Sequence, residues 1–233
     1  MAPVLAPGAS IDRARPLMAQ VYSLLRAAIV GGRLAPGAPV VERALTAELG
    51  ISRTPIREAI MRLRDEGLIA VWPHSGTFVA PIDADTVEEC LLVREALELA
   101  VLPAAVEALA EPELARLLAI AREMHGAATA SSPETMARLE REFHRIVCTA
   151  PRLARAATMI ATTEAQIDRA RAVCLAADSR PDQVAAEHLW LATALAERDR
   201  AQAEAALRAH LRATRDALRV GLAAWAEAAR PRA

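Results

Sequence analysis

Asp83 divides this 233-residue chain into two stretches with different apolar periods, and that break limits the folds open to it. After it, apolar residues recur every three or four positions with no strand-like alternation, a pattern only helices satisfy. Before it come a helical stripe, a short second helix, a glycine turn, a third helix and two short strand-like runs. The expected fold is mainly α. A disordered tail over residues 1–15 leads into a small mixed domain over 16–80, and an all-helical antiparallel bundle follows over 84–229.

The first stripe, Leu17, Val21, Leu24, Leu25 and Ile29, ends at Gly31-Gly32, and Ala35-Pro36-Gly37 is a turn signal. Glu42 to Leu49 is a short helix with Leu45 and Leu49 on its inner face, and Gly50 turns the chain into the next helix. Ser52-Arg53-Thr54-Pro55-Ile56-Arg57 opens that helix: Ser52 is of N-cap type, and a proline in the first turn breaks no intrahelical bond. Arg53 and Arg57, four residues apart, share one face near the N-terminus, while Ile56, Ile60 and Leu63 pack another. Two guanidinium forks at the leading end of a helix suit phosphate oxygens and guanine edges. After Gly67, Leu68–Trp72 and Thr77–Ala80 flank Pro73-His74-Ser75-Gly76 as a β-hairpin.

Charge follows the same division. The net charge is −1, the basic side chains are all arginine, and nine arginines against six acids make residues 1–82 basic. Nineteen arginines against twenty-three acids make the remainder acidic. A basic head on an acidic body fits a DNA-binding module joined to a regulatory one. Hydrophobic content of 54% supports two cores, and only 3% aromatics, with abundant alanine and leucine, favours helices. No apolar run is long enough to span a bilayer. Cys90, Cys148 and Cys174 have no Cys-x-x-Cys spacing and are expected to be reduced, buried thiols of a cytoplasmic protein.

Helix, turn, helix and hairpin in this order resemble the winged helix-turn-helix of the GntR family of bacterial transcription regulators, over about residues 17–80. The resemblance implies that Arg43, Ser52, Arg53, Thr54 and Arg57 contact DNA, with Arg53 reading a base and Arg43 and Arg57 holding phosphates. Gly76 and His74, at the wing tip, would approach the minor groove or its phosphates.

In the second half, Val87, Leu91, Arg94, Leu97, Glu98 and Val101 mark one long helix after the linker Pro81-Ile82-Asp83, kinked or divided at Pro103. Further helices are expected from Glu111-Pro112, from Ser132-Pro133 to about Thr149, and from Pro151 to about Ala176. Two more run from Arg180-Pro181 to near Arg198 and from Ala201 to about Ala228. Glu140 and His144 lie one turn apart on one helix, and His188 and His210 lie on two others. Three imidazoles and a carboxylate suit Zn²⁺, Ni²⁺ or Mn²⁺, although a single helical histidine is usually a satisfied core or surface side chain. Arg94 sits in an apolar stripe and needs an anionic partner: Glu98 one turn away, or a bound carboxylate. Arg141 and Arg145 are expected to face solvent, and His125 before Gly126 to close its helix.

This half resembles the FCD ligand-binding domain of FadR-type GntR regulators, over about residues 84–220. The features are Arg94 and Glu98, Glu140-x-x-Phe143-His144, Glu187-His188 with Ala194 to Asp199, and His210-Leu211. The resemblance implies a divalent metal at Glu140, His144, His188 and His210, and a small carboxylate effector held with the help of Arg94. The chain departs from the family in having glutamate where aspartate is usual. The longer side chain moves the ligating oxygen by more than about 1 Å, against a tolerance of about ±0.2 Å in metal–ligand distances. Glu142 points around the helix and is a poor substitute.

The expected protein is a cytoplasmic, nucleoid-associated bacterial regulator and not a membrane protein. It would bind double-stranded operator DNA of palindromic sequence as a homodimer, acting as a repressor released by a small organic acid. Two other readings of the same cluster are a regulator for which the metal itself is the signal, and a metal-dependent enzyme in which the cluster activates water.

Overall fold

The computed structural model describes residues 4–5, 8, 10–130, 132–150, 152–174 and 180–228, in two compact units that meet at Asp83/Ala84. In the first unit α1 (Leu17–Val30), α2 (Glu42–Leu49) and α3 (Arg53–Asp65) precede an antiparallel hairpin, β1 (Ile69–Trp72) and β2 (Gly76–Val79). Its core includes Val21, Leu25, Ile29, Leu45, Ile56, Leu63, Ile69 and Val79, drawn from every element. Gly50 takes φ 64° between α2 and α3, a left-handed turn that glycine adopts without a Cβ penalty. The hairpin runs from Ile69 opposite Val79 to Trp72 opposite Gly76, and Pro39 adds an isolated bridge to Phe78.

Part of the expected tail carries contacts. Leu5 is buried, and the Val4 and Leu5 amides donate to the two carboxylate oxygens of Glu48. Arg13 donates to the Gly50 carbonyl at 2.9 Å. The two amide bonds to Glu48 are charge-assisted, and the alanine–proline composition gives no sign of them.

The second unit is all helical among the described residues: α4 (Ala84–Ala108), α5 (Glu111–Thr129), α6 (Pro133–Thr149), α7 (Ala154–Cys174), α8 (Pro181–Ala196) and α9 (Arg200–Ala228). Prolines open α6 and α8 at their first position, where no intrahelical N–H bond is lost. Pro103 does not divide α4, which continues to Ala108. Arg198, two residues past α8, donates to the carbonyl of Val106 in the last turn of α4 and to that of Leu109 just beyond it. The core spans α4, α5, α6, α8 and α9 through residues such as Leu102, Leu117, Phe143, Leu191 and Leu207. The expected start at Pro151 and end at Ala176 lie outside the described residues, as does residue 229. Also, α5 passes through Gly126, so exposed His125 lies within the helix and does not end it. Cys148 is buried, whereas Cys90 and Cys174 are only partly covered, and all three are free thiols. None of the described helices is long and apolar enough to cross a membrane.

Candidate functional site

The first unit carries Arg53 and Arg57 in the first two turns of α3, and Arg43 on α2. Arg43, Ser52, Arg53, Thr54, Arg57, His74 and Gly76 are all exposed. Ser52 has the extended backbone of an N-cap, but its side chain makes no capping hydrogen bond, contrary to the expected role. Arg57 is not a free cation: its Nε donates to both carboxylate oxygens of Glu42, at 2.9 and 3.1 Å. At the hairpin tip His74 has φ 62° and Gly76 φ 122°. The wing also carries Trp72 against Phe78, with ring centroids 5.4 Å apart.

The second unit gathers its histidines from three helices. Glu140 and His144 on α6, His188 on α8 and His210 on α9 are all buried, and one ligand-capable atom from each lies within 4.8 Å of the others. The ring centroids of His188 and His210 are 4.5 Å apart, and His144 lies 5.2 Å from His210. Phe143 closes one side, edge-on to His188 at 4.8 Å.

Each imidazole is fixed through Nδ1. His144 Nδ1 lies 2.9 Å from Glu98 Oε2, His188 Nδ1 2.8 Å from the Val184 carbonyl, and His210 Nδ1 3.0 Å from Glu187 Oε2. An Nδ1–H donated to an oxygen leaves Nε2 with its lone pair, and that arrangement is typical of metal-binding histidines. In all three rings Nε2 is buried without a hydrogen-bond partner, as is Glu140 Oε1. Burial, followed by the neighbouring imidazoles, pushes the pKa of His188 and of His210 well below the usual value, so both are neutral at pH 7.

Burial would raise the Glu140 pKa, but the charges of Arg171, at 2.7 Å from Oε2, and of Arg94 hold it well below the carboxylate range. Four buried donors, one anionic and the rest neutral or anchored, therefore fit a divalent cation. Ligands about 2.1 Å from one ion can be no more than about 4.2 Å apart, so the widest pair must close by a few tenths of an ångström. Glu140, despite its extra methylene, brings Oε1 into the cluster while Oε2 stays on Arg171.

Arg94 is 2% exposed, and its Nε donates to Glu98 Oε1 at 2.6 Å. Its Nη2 has no hydrogen bond and lies 3.8 Å from Glu164 Oε1. Glu98 thus joins Arg94 to His144, and Glu187 likewise joins Arg180 (2.7 Å) to His210. The sequence offered Glu98 as a partner for Arg94 but not for His144. Arg171, Glu164 and Asp168 on α7 carried no sequence signal. Arg141 is exposed, as expected, and also bonds Asp168 at 3.1 Å. Glu142 faces Arg116 and Arg138, away from the cluster.

A winged helix-turn-helix on one unit and an all-helical body on the other define a DNA-binding transcription regulator. Residues 17–79 match the bacterial regulatory proteins of the gntR family, and residues 89–213 match the FCD domain. The chain belongs to the GntR family, in its FCD-containing, FadR-type branch. It is 33% identical over 196 residues (84% of this chain, 82% of the relative) to an HTH-type regulator in an unstable DNA locus of Streptomyces ambofaciens. It is 28% identical over 209 residues (90% and 92%) to the transcriptional repressor RspR of Escherichia coli K12. The same fold occurs in Escherichia coli McbR/YncC, with TM-score 0.79, 23% identity and coverage of 87% and 97%. A GntR regulator from Rhodococcus sp. RHA1 gives TM-score 0.75, 22% identity and coverage of 89% and 98%. These relatives and the two matched families are transcription regulators, not enzymes.

Proposed function

We propose that the protein is a cytoplasmic, homodimeric repressor that binds a palindromic operator and leaves it when a small organic acid enters the helical unit. Repression is suggested by RspR, a relative named as a repressor. Two heads related by a dyad would double the phosphate contacts of one winged helix and read two half-sites. Arg53 would read a base; Arg43, Arg57, Ser52 and Thr54 would hold the backbone, with Gly76 and His74 at the minor groove.

The observation that carries the effector half is the set of buried, unpartnered Nε2 atoms of His144, His188 and His210 beside Glu140 Oε1. These residues would hold Zn²⁺, Ni²⁺ or Mn²⁺, whose positive charge attracts a carboxylate. Arg94 would orient that acid, and Glu98 would keep Arg94 and His144 aligned. An acid can shift the DNA-binding equilibrium only through different affinities for the two arrangements of the protein.

The test is metal analysis of purified wild type and His188→Ala, followed by thermal-shift titration of organic acids with and without chelator. His188→Ala is expected to lower metal content while leaving DNA binding intact, and acids are expected to stabilise only the metal-loaded wild type. Unchanged metal occupancy in the variant refutes the site. Metal that alters DNA affinity with no response to any acid would instead favour metal sensing.

A further inference from the structure

Glu42 stands out in the DNA-binding unit because it is an acid where the surroundings call for bases. It opens α2 next to exposed Arg43, and it reaches across the helix-turn-helix to Arg57 in the second turn of α3. Arg57 Nε lies 2.9 and 3.1 Å from the two carboxylate oxygens, while the Arg57 side chain remains 61% exposed. Among the described residues, Arg43 and Arg53 have no such ion pair.

A carboxylate here weakens attraction to any polyanion, and an exposed ion pair adds little to folding stability. Something else must compensate. Arginine has many rotamers, and an interface side chain that is ordered beforehand loses less freedom on binding. Because Glu42 engages only Nε, the planar fork of Nη1 and Nη2 stays available, with its direction set.

We infer that Glu42 is a positioning residue for DNA recognition: it aims the Arg57 guanidinium so that a correctly docked duplex gains its full bidentate contact. The same carboxylate lowers affinity for DNA on which that contact cannot form. Glu42 therefore raises the ratio of specific to non-specific binding, and both effects act through Arg57. This rests on the reading that Arg57 grips backbone phosphates, whose position beside it is fixed only on a duplex held in register by base contacts such as that of Arg53.

The experiment uses the full chain and two probes: a duplex selected by the wild type from a random-sequence library, and a pool of random duplexes. Fluorescence anisotropy at two salt concentrations gives both affinities for wild type, Glu42→Ala, Glu42→Gln, Arg57→Ala and the double variant Glu42→Ala/Arg57→Ala. Glu42→Ala is expected to lose about tenfold on the selected duplex while holding or gaining affinity for random duplex. Glu42→Gln, which keeps the length and one acceptor oxygen, should recover part of the loss. In the Arg57→Ala background, Glu42→Ala should leave the specificity ratio unchanged.

Matching melting temperatures exclude unfolding as the cause, and Glu42→Gln serves if Glu42→Ala fails to fold. Equal tightening on both probes makes Glu42 a repulsive neighbour only and overturns the inference. So does equal weakening, or no change. If Arg57→Ala binds both probes like wild type, the placement of Arg57 on DNA fails first, independently of Glu42.

Discussion

Glu98→Gln tests the centre of the helical unit. The wild-type carboxylate accepts from Arg94 Nε through Oε1 at 2.6 Å and meets His144 Nδ1 through Oε2 at 2.9 Å, with Arg94 and Glu98 each 2% exposed. Glutamine keeps the shape but replaces one acceptor by an NH₂ group, so it either faces Arg94 donor to donor or drives His144 into the tautomer with its proton on Nε2, which removes the metal-binding lone pair. It also leaves the guanidinium without its adjacent charge. Removing one partner of a buried ion pair costs about 3–5 kcal/mol. Glu164 Oε1, 3.8 Å from Arg94 Nη2, recovers a little of this and favours the lower end of that range. About 3 kcal/mol corresponds to a fall in melting temperature of about 6–12 °C at this chain length. Losing the partner that orients a histidine weakens metal binding about 10–100-fold. The two effects separate in the assay: denaturation in chelator reads the Arg94 contribution, and competition against a chromophoric chelator reads the metal. A variant that melts within about 2 °C of wild type in chelator would show that Arg94 does not depend on Glu98 and would refute the reasoning.

Arg53→Ala should weaken binding to a selected operator by about 1–3 kcal/mol and narrow its margin over random DNA; equal losses on both would make Arg53 a phosphate anchor. The metal-free protein should lose stability as pH falls below about 6.5. His188 and His210 have folded pKa values depressed by burial, so in that range the unfolded chain takes up protons that the folded chain refuses. Their stabilisation is complete above the unfolded pKa and declines toward the folded one, by at most about 1.4 kcal/mol per pH unit for each ring. Glu164 and Asp168 are raised by burial and oppose the trend at lower pH. The informative measurement is therefore the difference in slope between wild type and His188→Ala, and identical slopes from pH 7 to 5.5 would contradict the buried neutral His188.

The helices were legible where the backbone chemistry is local. Pro133 and Pro181 mark starts that proline tolerates, and Gly50 marks a turn that requires positive φ. The histidine cluster was legible in its members, because Glu140 and His144 share a helix face and family resemblance supplied the other two. Its supporting residues were not. Glu187 adjoins His188 in sequence, yet neighbours on a helix point about 100° apart, and Glu187 serves His210 on the next helix. Glu98 reaches His144 across 46 residues of chain. On α7, Ile167, Asp168, Arg169 and Ala170 are all buried in succession, so no polar face separates its functional side from its packed side. A stretch of helix buried on every side, as 167–170 is, gives no periodic signal of which charges matter.

The charge arrangement gives the proposed effector class its physical basis. Arg94 meets Glu98, Arg171 meets Glu140, Arg180 meets Glu187 and Arg141 meets Asp168, so each of these anions around the cluster already has a cationic partner. Adding a divalent cation to that paired set leaves an excess positive charge in a buried region, where counter-charge from water is weak. Glu164, close to Arg94 and raised in pKa by burial, is poorly placed to supply it, because burial favours its neutral form. A neutral sugar or base would leave the excess uncompensated. An organic acid would supply the missing negative charge and could use the Nη2 edge of Arg94 that makes no hydrogen bond within the chain. A carboxylate effector is therefore favoured by the same pairing that makes the metal-free site neutral.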